Sequence, residues 1–229
     1  MKIERLHITL GEQTLVDISF EIHNSLALVG QSGSGKSLTL KALLDMLPKQ
    51  MECELVYDAE YKLQAGKTVS LVVQNPFTAL SPLTKINKQF FAPQERIKQL
   101  FSLLDLDLAL LQRFPPELSG GQLQRIVIAM AIAQKPKLLL LDEPTTALDP
   151  QTTKAIIELL KKLQKQEGFK MLFVTHDIAS AQELCEDICV LQEGCLVACG
   201  KMVDVIANPK QQYTKTLIEA NFANRNFRE

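Results

Sequence analysis

The sequence predicts an α/β fold: a mixed-sheet core built round a phosphate loop, with an antiparallel β part at the N-terminus and an inserted α-helical subdomain. Three observations predict it. Short apolar runs, Ser25-Leu26-Ala27-Leu28-Val29, Thr68-Val69-Ser70-Leu71-Val72-Val73, Leu138-Leu139-Leu140-Leu141 and Met171-Leu172-Phe173-Val174, alternate with helical stretches. That is the pattern of strands buried on both faces and covered by helices. The first run leads straight into Gly30-Gln31-Ser32-Gly33-Ser34-Gly35-Lys36-Ser37, and strand, G-x-x-x-x-G-K-S, helix is the context a P-loop requires. Between residue 75 and about residue 136 no segment reads convincingly as a strand.

The 229 residues suit one generous domain. Its expected layout is an α/β core of residues 1–74 and 137–207, a helical subdomain at 75–136 and a tail at 208–229. Apolar content of 46% and charged content of 22% are those of a soluble protein with an ample core. A net charge of −1 and the absence of tryptophan disfavour a nucleic-acid partner. No run approaches the roughly 20 apolar residues that span a bilayer, and Met1-Lys2-Ile3-Glu4-Arg5 is no signal peptide. The expected place is the cytoplasm, with any membrane contact made through a partner.

Taken in order, residues 2–22 read as an antiparallel hairpin. Leu6, Ile8 and Leu10 alternate with polar residues, Gly11-Glu12-Gln13 turns, and Val16, Ile18, Phe20 and Ile22 alternate again. After the glycine-rich loop come Leu40, Leu43, Leu44 and Leu47 at helical spacing, closed by Pro48. The loop's glycines let backbone N–H groups wrap phosphates, Lys36 reaches the β- and γ-phosphates, and the Ser37 hydroxyl suits Mg²⁺. Chance supplies this motif in such a chain with a probability on the order of one in a hundred. Residues 49–67 say little. Gln74 ends the strand at 68–73, and residues 93–113 carry helical periodicity at Ile97, Leu100, Phe101 and Leu104.

A second phosphate-seeking element follows. Leu118-Ser119-Gly120-Gly121-Gln122 precedes Leu123, Ile126, Val127 and Met130 at helical spacing. Ser119 is a good N-cap, and a glycine-rich helix start presents unpaired N–H donors and a positive dipole end. The run at 138–141 ends in Asp142-Glu143-Pro144, two carboxylates where ligands bind in open α/β sheets. One can hold Mg²⁺ while the next polarises an attacking water. Asp149-Pro150 caps a helix patterned by Ile156, Leu159, Leu160 and Leu163 and stopped by Gly168. The run at 171–174 delivers Thr175-His176-Asp177.

Five cysteines, an odd number, fit reduced thiols better than a disulfide framework. Four of them, Cys185, Cys189, Cys195 and Cys199, fall in a helix end and a hairpin turned at Glu193-Gly194. Cys195 and Cys199 on one strand lie about 13 Å apart at roughly 3.3 Å per residue, too far to share a metal ion.

The ordered set of the 30–37 loop, Gln74, the 118–122 run, the 138–143 run, Ala147-Leu148-Asp149 and His176 resembles the ATP-binding cassette (ABC) ATPases over essentially the whole chain. The Leu-Ser-Gly-Gly-Gln match is the most specific part, expected by chance at roughly a few in ten thousand. The resemblance implies the ABC ATPase fold, a RecA-like P-loop NTPase core. It implies ATP and Mg²⁺, and two cassettes, same or homologous, paired head to tail. Each nucleotide is then gripped by residues 30–37 of one chain and by Ser119, Gly120, Gly121 and Gln122 of the other. Ser37, Gln74 and Asp142 serve Mg²⁺, Glu143 is the general base, and His176 contacts the γ-phosphate. Gln74 senses the metal and the attacking water, and Asp149 links the two sites. The family's adenine-stacking aromatic is replaced by Leu10. The helical lobe is expected to dock two membrane permease subunits, with a substrate-binding protein as an indirect partner, at the cytoplasmic face of the inner membrane.

Narrower wording is similar to the oligopeptide, dipeptide and nickel importer branch: residues 74–82, residues 114–121, Ile128-Ala129-Met130-Ala131, residues 142–149 and the segment from Asn208-Pro209 through Tyr213-Thr214 to Leu217. The short tail resembles the nickel-import ATPase subunits, so nickel or a nickel chelate is the expected cargo, with a peptide as the alternative. A GTPase or small-molecule kinase explains the P-loop but not Leu-Ser-Gly-Gly-Gln, and Asn87-Lys88-Gln89-Phe90 fails the base-reading motif at its acid. A cassette acting on nucleic acid or ribosomes is the competitor from another class; such proteins usually carry a coiled-coil insertion or a second cassette.

Overall fold

A computed structural model describes residues 1–146 and 148–223. Strands β1 (Lys2–Leu10), β2 (Gln13–Glu21) and β3 (Ser25–Val29) precede helix α1 (Lys36–Leu43), β4 (Met51–Asp58) and β5 (Val69–Val72). Helices α2 (Pro76–Ala79), α3 (Gln94–Leu103) and α4 (Gly120–Ile132) then lead to β6 (Leu138–Asp142) and α5 (Pro150–Glu167). Next come β7 (Lys170–Thr175), α6 (Ile178–Leu184), β8 (Asp187–Gln192), β9 (Cys195–Lys201), α7 (Met202–Ala207) and α8 (Gln212–Ala223). The chain forms two compact units, Met1–Gln64 with Lys170–Glu229, and Ala65–Phe169.

The first unit holds two sheets. In one, β1 is flanked antiparallel by β2 and β4. The hairpin read from the sequence is there, turned at Gly11 with φ +59° and burying Ile3, Leu6, Ile8, Val16 and Ile18. Strand β4 lies in the uninformative 49–67 stretch. Its outer residues are mostly exposed and polar, as a one-sided edge strand allows, so its apolar signal is weak. In the other sheet β3 lies between β7 and β8, parallel to both, and β9 pairs antiparallel with β8. All five β3 residues are buried, which explains the unbroken apolar run.

In the second unit β5 pairs in parallel with β6, from Val69 opposite Leu138 to Val72 opposite Leu141. Apolar stripes on α3 (Ile97, Leu100, Phe101) and α4 (Leu123, Ile126, Val127) are buried. Arg96 closes this packing with a two-pronged contact to Glu167, Nη1–Oε1 3.0 Å and Nη2–Oε2 2.7 Å, and a further bond from Nη2 to the Ile132 carbonyl at 3.3 Å. Among the described residues no helix is long and apolar enough to cross a membrane.

Two helices stop earlier than their apolar spacing suggests. Helix α1 leaves Leu47 outside, because Asp45 turns left-handed at φ +57°. The Met46 and Asp45 amides then donate back to the Lys41 and Ala42 carbonyls, at 2.8 and 3.1 Å. Helix α3 ends the same way: Asp105 takes φ +53° and the Leu106 amide returns to the Phe101 carbonyl at 2.9 Å. The rest of the 93–113 stretch includes a 3₁₀ turn at Leu108–Gln112. A lone aspartate is a weaker stop signal than glycine, which is why the spacing misleads.

The thiol expectation needs correction. Cys189 and Cys199 are joined by a disulfide. The expected β8–β9 hairpin forms, turned at Glu193 and Gly194 with φ +48° and +78°. Its register sets Cys189 directly opposite Cys199, with Cα atoms 4.2 Å apart. Cys195 and Cys199 are separated along one strand, whereas Cys189 and Cys199 face each other across two.

Candidate functional site

Residues 30–37 run from the buried end of β3 into α1 and need their glycines. A Cβ on Gly30 meets the Leu191 carbonyl oxygen at 2.3 Å, and one on Gly35 meets Val16 Cγ2 at 2.8 Å. Gly33 and Gly35 also hold φ at +82° and +109°, where only glycine is unstrained. The loop rests on the β8–β9 turn, where the Gly194 amide donates to the Ser34 carbonyl at 3.0 Å. The Gly194 carbonyl in turn accepts from the Asp17 amide of β2 at 2.9 Å. Two sheets thus fix the floor of the loop.

Lys36 folds back over that loop. Its Nζ donates to the carbonyls of Gly30 at 2.7 Å and Gln31 at 2.8 Å, and the side chain is buried. A buried ammonium at a glycine-rich loop suits an anionic ligand. The buried Ser34 hydroxyl has no hydrogen-bond partner among the described residues. Gln31, Ser32, Gly33 and Ser37 are exposed. An orphaned hydroxyl, a buried cation and glycines that keep the backbone bare fit a polyphosphate.

In the same unit β7 delivers His176, which is exposed, and Asp177 caps α6 by accepting from the Ala179 amide at 3.0 Å and the Ser180 hydroxyl at 2.6 Å. Leu10 ends β1 and is 43% exposed. Tyr213 lies in the terminal segment, and its hydroxyl accepts from the Gln31 amide of the loop at 3.0 Å. No spacing rule connects residues 182 positions apart.

The second unit carries the other site residues. The β5–β6 register brings both strand ends to one side, and there Gln74 Nε2 donates to Glu143 Oε2 at 3.2 Å. The Thr146 hydroxyl reaches the same oxygen at 3.1 Å. Glu143 adopts φ +45°, rare for a side-chain-bearing residue, held by the Thr146 amide on its carbonyl at 3.3 Å. Asp142, the last residue of β6, is half-buried.

Ser119 and Gln122 form a reciprocal cap on α4. The Ser119 hydroxyl accepts from the Gln122 amide at 3.3 Å, and Gln122 Oε1 accepts from the Ser119 amide at 3.0 Å. This leaves the Ser119 O–H proton to donate outward. Gly120 has open space where a Cβ would stand, and Gly121 comes against Thr152. Asp149 caps α5 through Oδ1, which accepts from the Gln151 and Thr152 amides at 3.1 and 3.0 Å, and through Oδ2, which accepts from the Thr152 hydroxyl at 2.6 Å. The Thr152 hydroxyl and then its amide hold the Asp149 carboxyl below the usual carboxylate range. Ala147, expected in the same run, lies outside the described residues, as do residues 224–229 of the tail.

Comparison with known proteins bears on family and fold. The family model for ABC transporters matches residues 15–146. The chain is 37% identical to a peptidoglycan transport ATP-binding protein of Agrobacterium fabrum, over 85% of this chain and 41% of that protein. It is 34% identical to the oligopeptide transport ATP-binding protein OppD of Bacillus subtilis, over 90% of this chain and 66% of the relative. A metal-staphylopine import system ATP-binding protein of Staphylococcus aureus is 33% identical, over 92% and 88%. The chain thus spans less than two thirds of the length of the first two relatives. A dimeric cassette, MJ0796, in a post-hydrolysis state bound to ADP and Pi superposes with a TM-score of 0.69 at 27% identity, over 88% of this chain and 98% of that one. Clostridium perfringens cbiO1, part of the cbiONQ transporter complex, superposes with a TM-score of 0.76 at 24% identity, over 90% of each chain. The fold is that of these cassettes, a P-loop mixed α/β core with an antiparallel N-terminal sheet.

Proposed function

The chain belongs to the ABC transporter family, and from that premise we propose that it is the ATP-hydrolysing subunit of an importer, working as one of two cassettes paired head to tail. The observation that carries this reading is the 30–37 loop, with buried Lys36 braced on loop carbonyls beside the orphaned Ser34 hydroxyl. In this reading the loop amides and Lys36 hold the triphosphate, and Leu10 gives the adenine an apolar contact. Ser37, Gln74 and Asp142 offer hydroxyl, amide and carboxylate oxygens, the hard donors that Mg²⁺ takes. Mg²⁺, when bound, neutralises charge on the phosphates.

Glu143 accepts the proton of the attacking water. The amide of Gln74 and the hydroxyl of Thr146 orient its carboxylate for that task. His176 steadies the γ-phosphate. The capped start of α4, with Ser119, Gly120, Gly121 and Gln122, grips the nucleotide of the neighbouring cassette, and Asp149 links the two sites. Residues 75–136 form the docking subdomain for two permease subunits at the cytoplasmic face of the membrane, and a substrate-binding protein delivers the cargo. Exposed Phe77, Leu83 and Phe91 in that segment suit such a contact. Closure on ATP and opening after hydrolysis then drive the permease, because the γ-phosphate binds one state better than the other.

For the cargo we infer nickel or a nickel chelate, supported by likeness to a metal-staphylopine import protein. A peptide is the second reading, supported by likeness to an oligopeptide transport protein. Uptake of radiolabelled nickel and of a labelled dipeptide, compared in a deletion strain and its complemented parent, separates them. Restored nickel uptake supports the first; restored peptide uptake alone overturns it. ATP turnover that ignores the permease and responds to DNA or ribosomes removes both.

A further inference from the structure

One helix, α8, reaches both phosphate-facing segments of the first unit. Tyr213, in its first turn, accepts the Gln31 amide on its hydroxyl at 3.0 Å. Asn221, eight residues on, accepts the Ile178 amide on Oδ1 at 3.0 Å. Ile178 begins α6, two residues after His176. The helix is anchored by buried Thr214, Leu217 and Ile218. Asn221 Nδ2 donates to the Leu217 carbonyl at 3.0 Å, which leaves its oxygen for Ile178.

The Tyr213 bond bears on Lys36. The Gly30 carbonyl and the Gln31 amide belong to one planar peptide group. Lys36 Nζ holds its oxygen at 2.7 Å and the Tyr213 hydroxyl holds its N–H at 3.0 Å, so both ends are gripped. Releasing one end lets the peptide swing and takes the resting site of the ammonium with it. The Asn221 bond acts on the other segment. Asp177 caps α6 through the Ala179 amide, and the Ile178 amide finds its acceptor on α8 instead. The exit of His176 from β7 is therefore set partly by α8.

We propose that α8 is a brace that orients the phosphate loop and the His176 segment together, with Tyr213 and Asn221 as positioning residues for nucleotide binding. This rests on the nucleotide reading of the 30–37 loop. The two residues have different signatures. Tyr213 acts on a loop that holds ATP and ADP alike, whereas Asn221 acts on a segment that meets only the γ-phosphate.

The test is equilibrium binding of a fluorescent non-hydrolysable ATP analogue and of fluorescent ADP to the full chain and its variants, with melting temperatures alongside. Tyr213→Phe keeps the ring and removes the hydroxyl. Both nucleotides are expected to bind about three- to tenfold more weakly by the same factor, the range of one neutral hydrogen bond, with melting little changed. Asn221→Leu is expected to weaken the ATP analogue severalfold and leave ADP at the parental affinity. Parental affinities in Tyr213→Phe and Asn221→Leu overturn the proposal. So does an equal loss for both nucleotides in Asn221→Leu that follows its melting temperature. A parent chain that binds neither nucleotide overturns the reading of the loop itself, and the brace with it.

Discussion

Gln74 and Glu143 meet at 3.2 Å because the strands that carry them end side by side, Val72 opposite Leu141. The carboxylate thus has the Gln74 amide and the Thr146 hydroxyl among its donors, in a backbone conformation that costs strain. Strain retained at one carboxylate is consistent with a positioned base. Glu143→Gln keeps the shape and removes the proton acceptor. Turnover is expected to fall 10²- to 10⁴-fold, the usual share of general-base catalysis, while ATP binding persists. Single-turnover hydrolysis with light scattering checks this, and the variant is expected to accumulate as a closed dimer with ATP. Equal turnover in variant and parent removes Glu143 from the role.

Lys36 is a buried cation of the loop, in contact with two of its carbonyls. Lys36→Ala removes a charge-assisted contact worth about 1.5–3 kcal/mol, so ATP affinity is expected to fall between about ten- and 150-fold. Titration calorimetry against ATP reads it directly. Unchanged affinity contradicts the placement of the triphosphate on this loop.

Much of this was legible in the sequence because local chemistry carries it. Residues 30–37 need glycine at Gly33 and Gly35 for backbone reasons that survive any tertiary context. Ser119 and Asp149 cap helices that their own neighbours define. What stayed hidden depends on partners distant in the chain. Strand β4 has a register set by β1 rather than by its own pattern. The Cys189–Cys199 bond depends on hairpin register, and the Tyr213 contact crosses 182 residues. The early stops of α1 and α3 lie in aspartates that take a left-handed turn, a choice the apolar spacing does not record.

Asp149 offers a test in pH. Hydrogen bonds to its carboxylate depress its proton affinity from the ordinary 3.8, the Thr152 hydroxyl most and then the Thr152 amide. A carboxyl depressed by folding adds stability that is fully present above the unfolded value and is lost as pH falls through the folded one. Asp149→Asn still caps the helix but does not titrate there. The stability gap between parent and variant is therefore expected to be constant above about pH 5 and to narrow below about pH 4. Urea unfolding at a series of pH values measures it. A gap that widens on acidification contradicts the sign.

The cysteines separate by reactivity. Cys53 and Cys195 are exposed, whereas Cys185 is buried and burial pushes its thiol far up, with Asp187 and Glu186 adding to the effect. The thiolate is the reacting form, so burial blocks Cys185 both by access and by ionisation. Burial raises the Cys53 thiol as well, with a smaller push from Asp45, so Cys53 is expected to react more slowly than an unhindered thiol. Alkylation of the native, unreduced chain is thus expected to label Cys53 and Cys195 and to spare Cys185. Denaturation then adds Cys185, and reduction after denaturation adds Cys189 and Cys199 together. Peptide mapping by mass spectrometry assigns each site. Labelling of Cys189 and Cys199 in the denatured, unreduced chain shows that the β8–β9 pair is reduced, and rapid native labelling of Cys185 contradicts its burial.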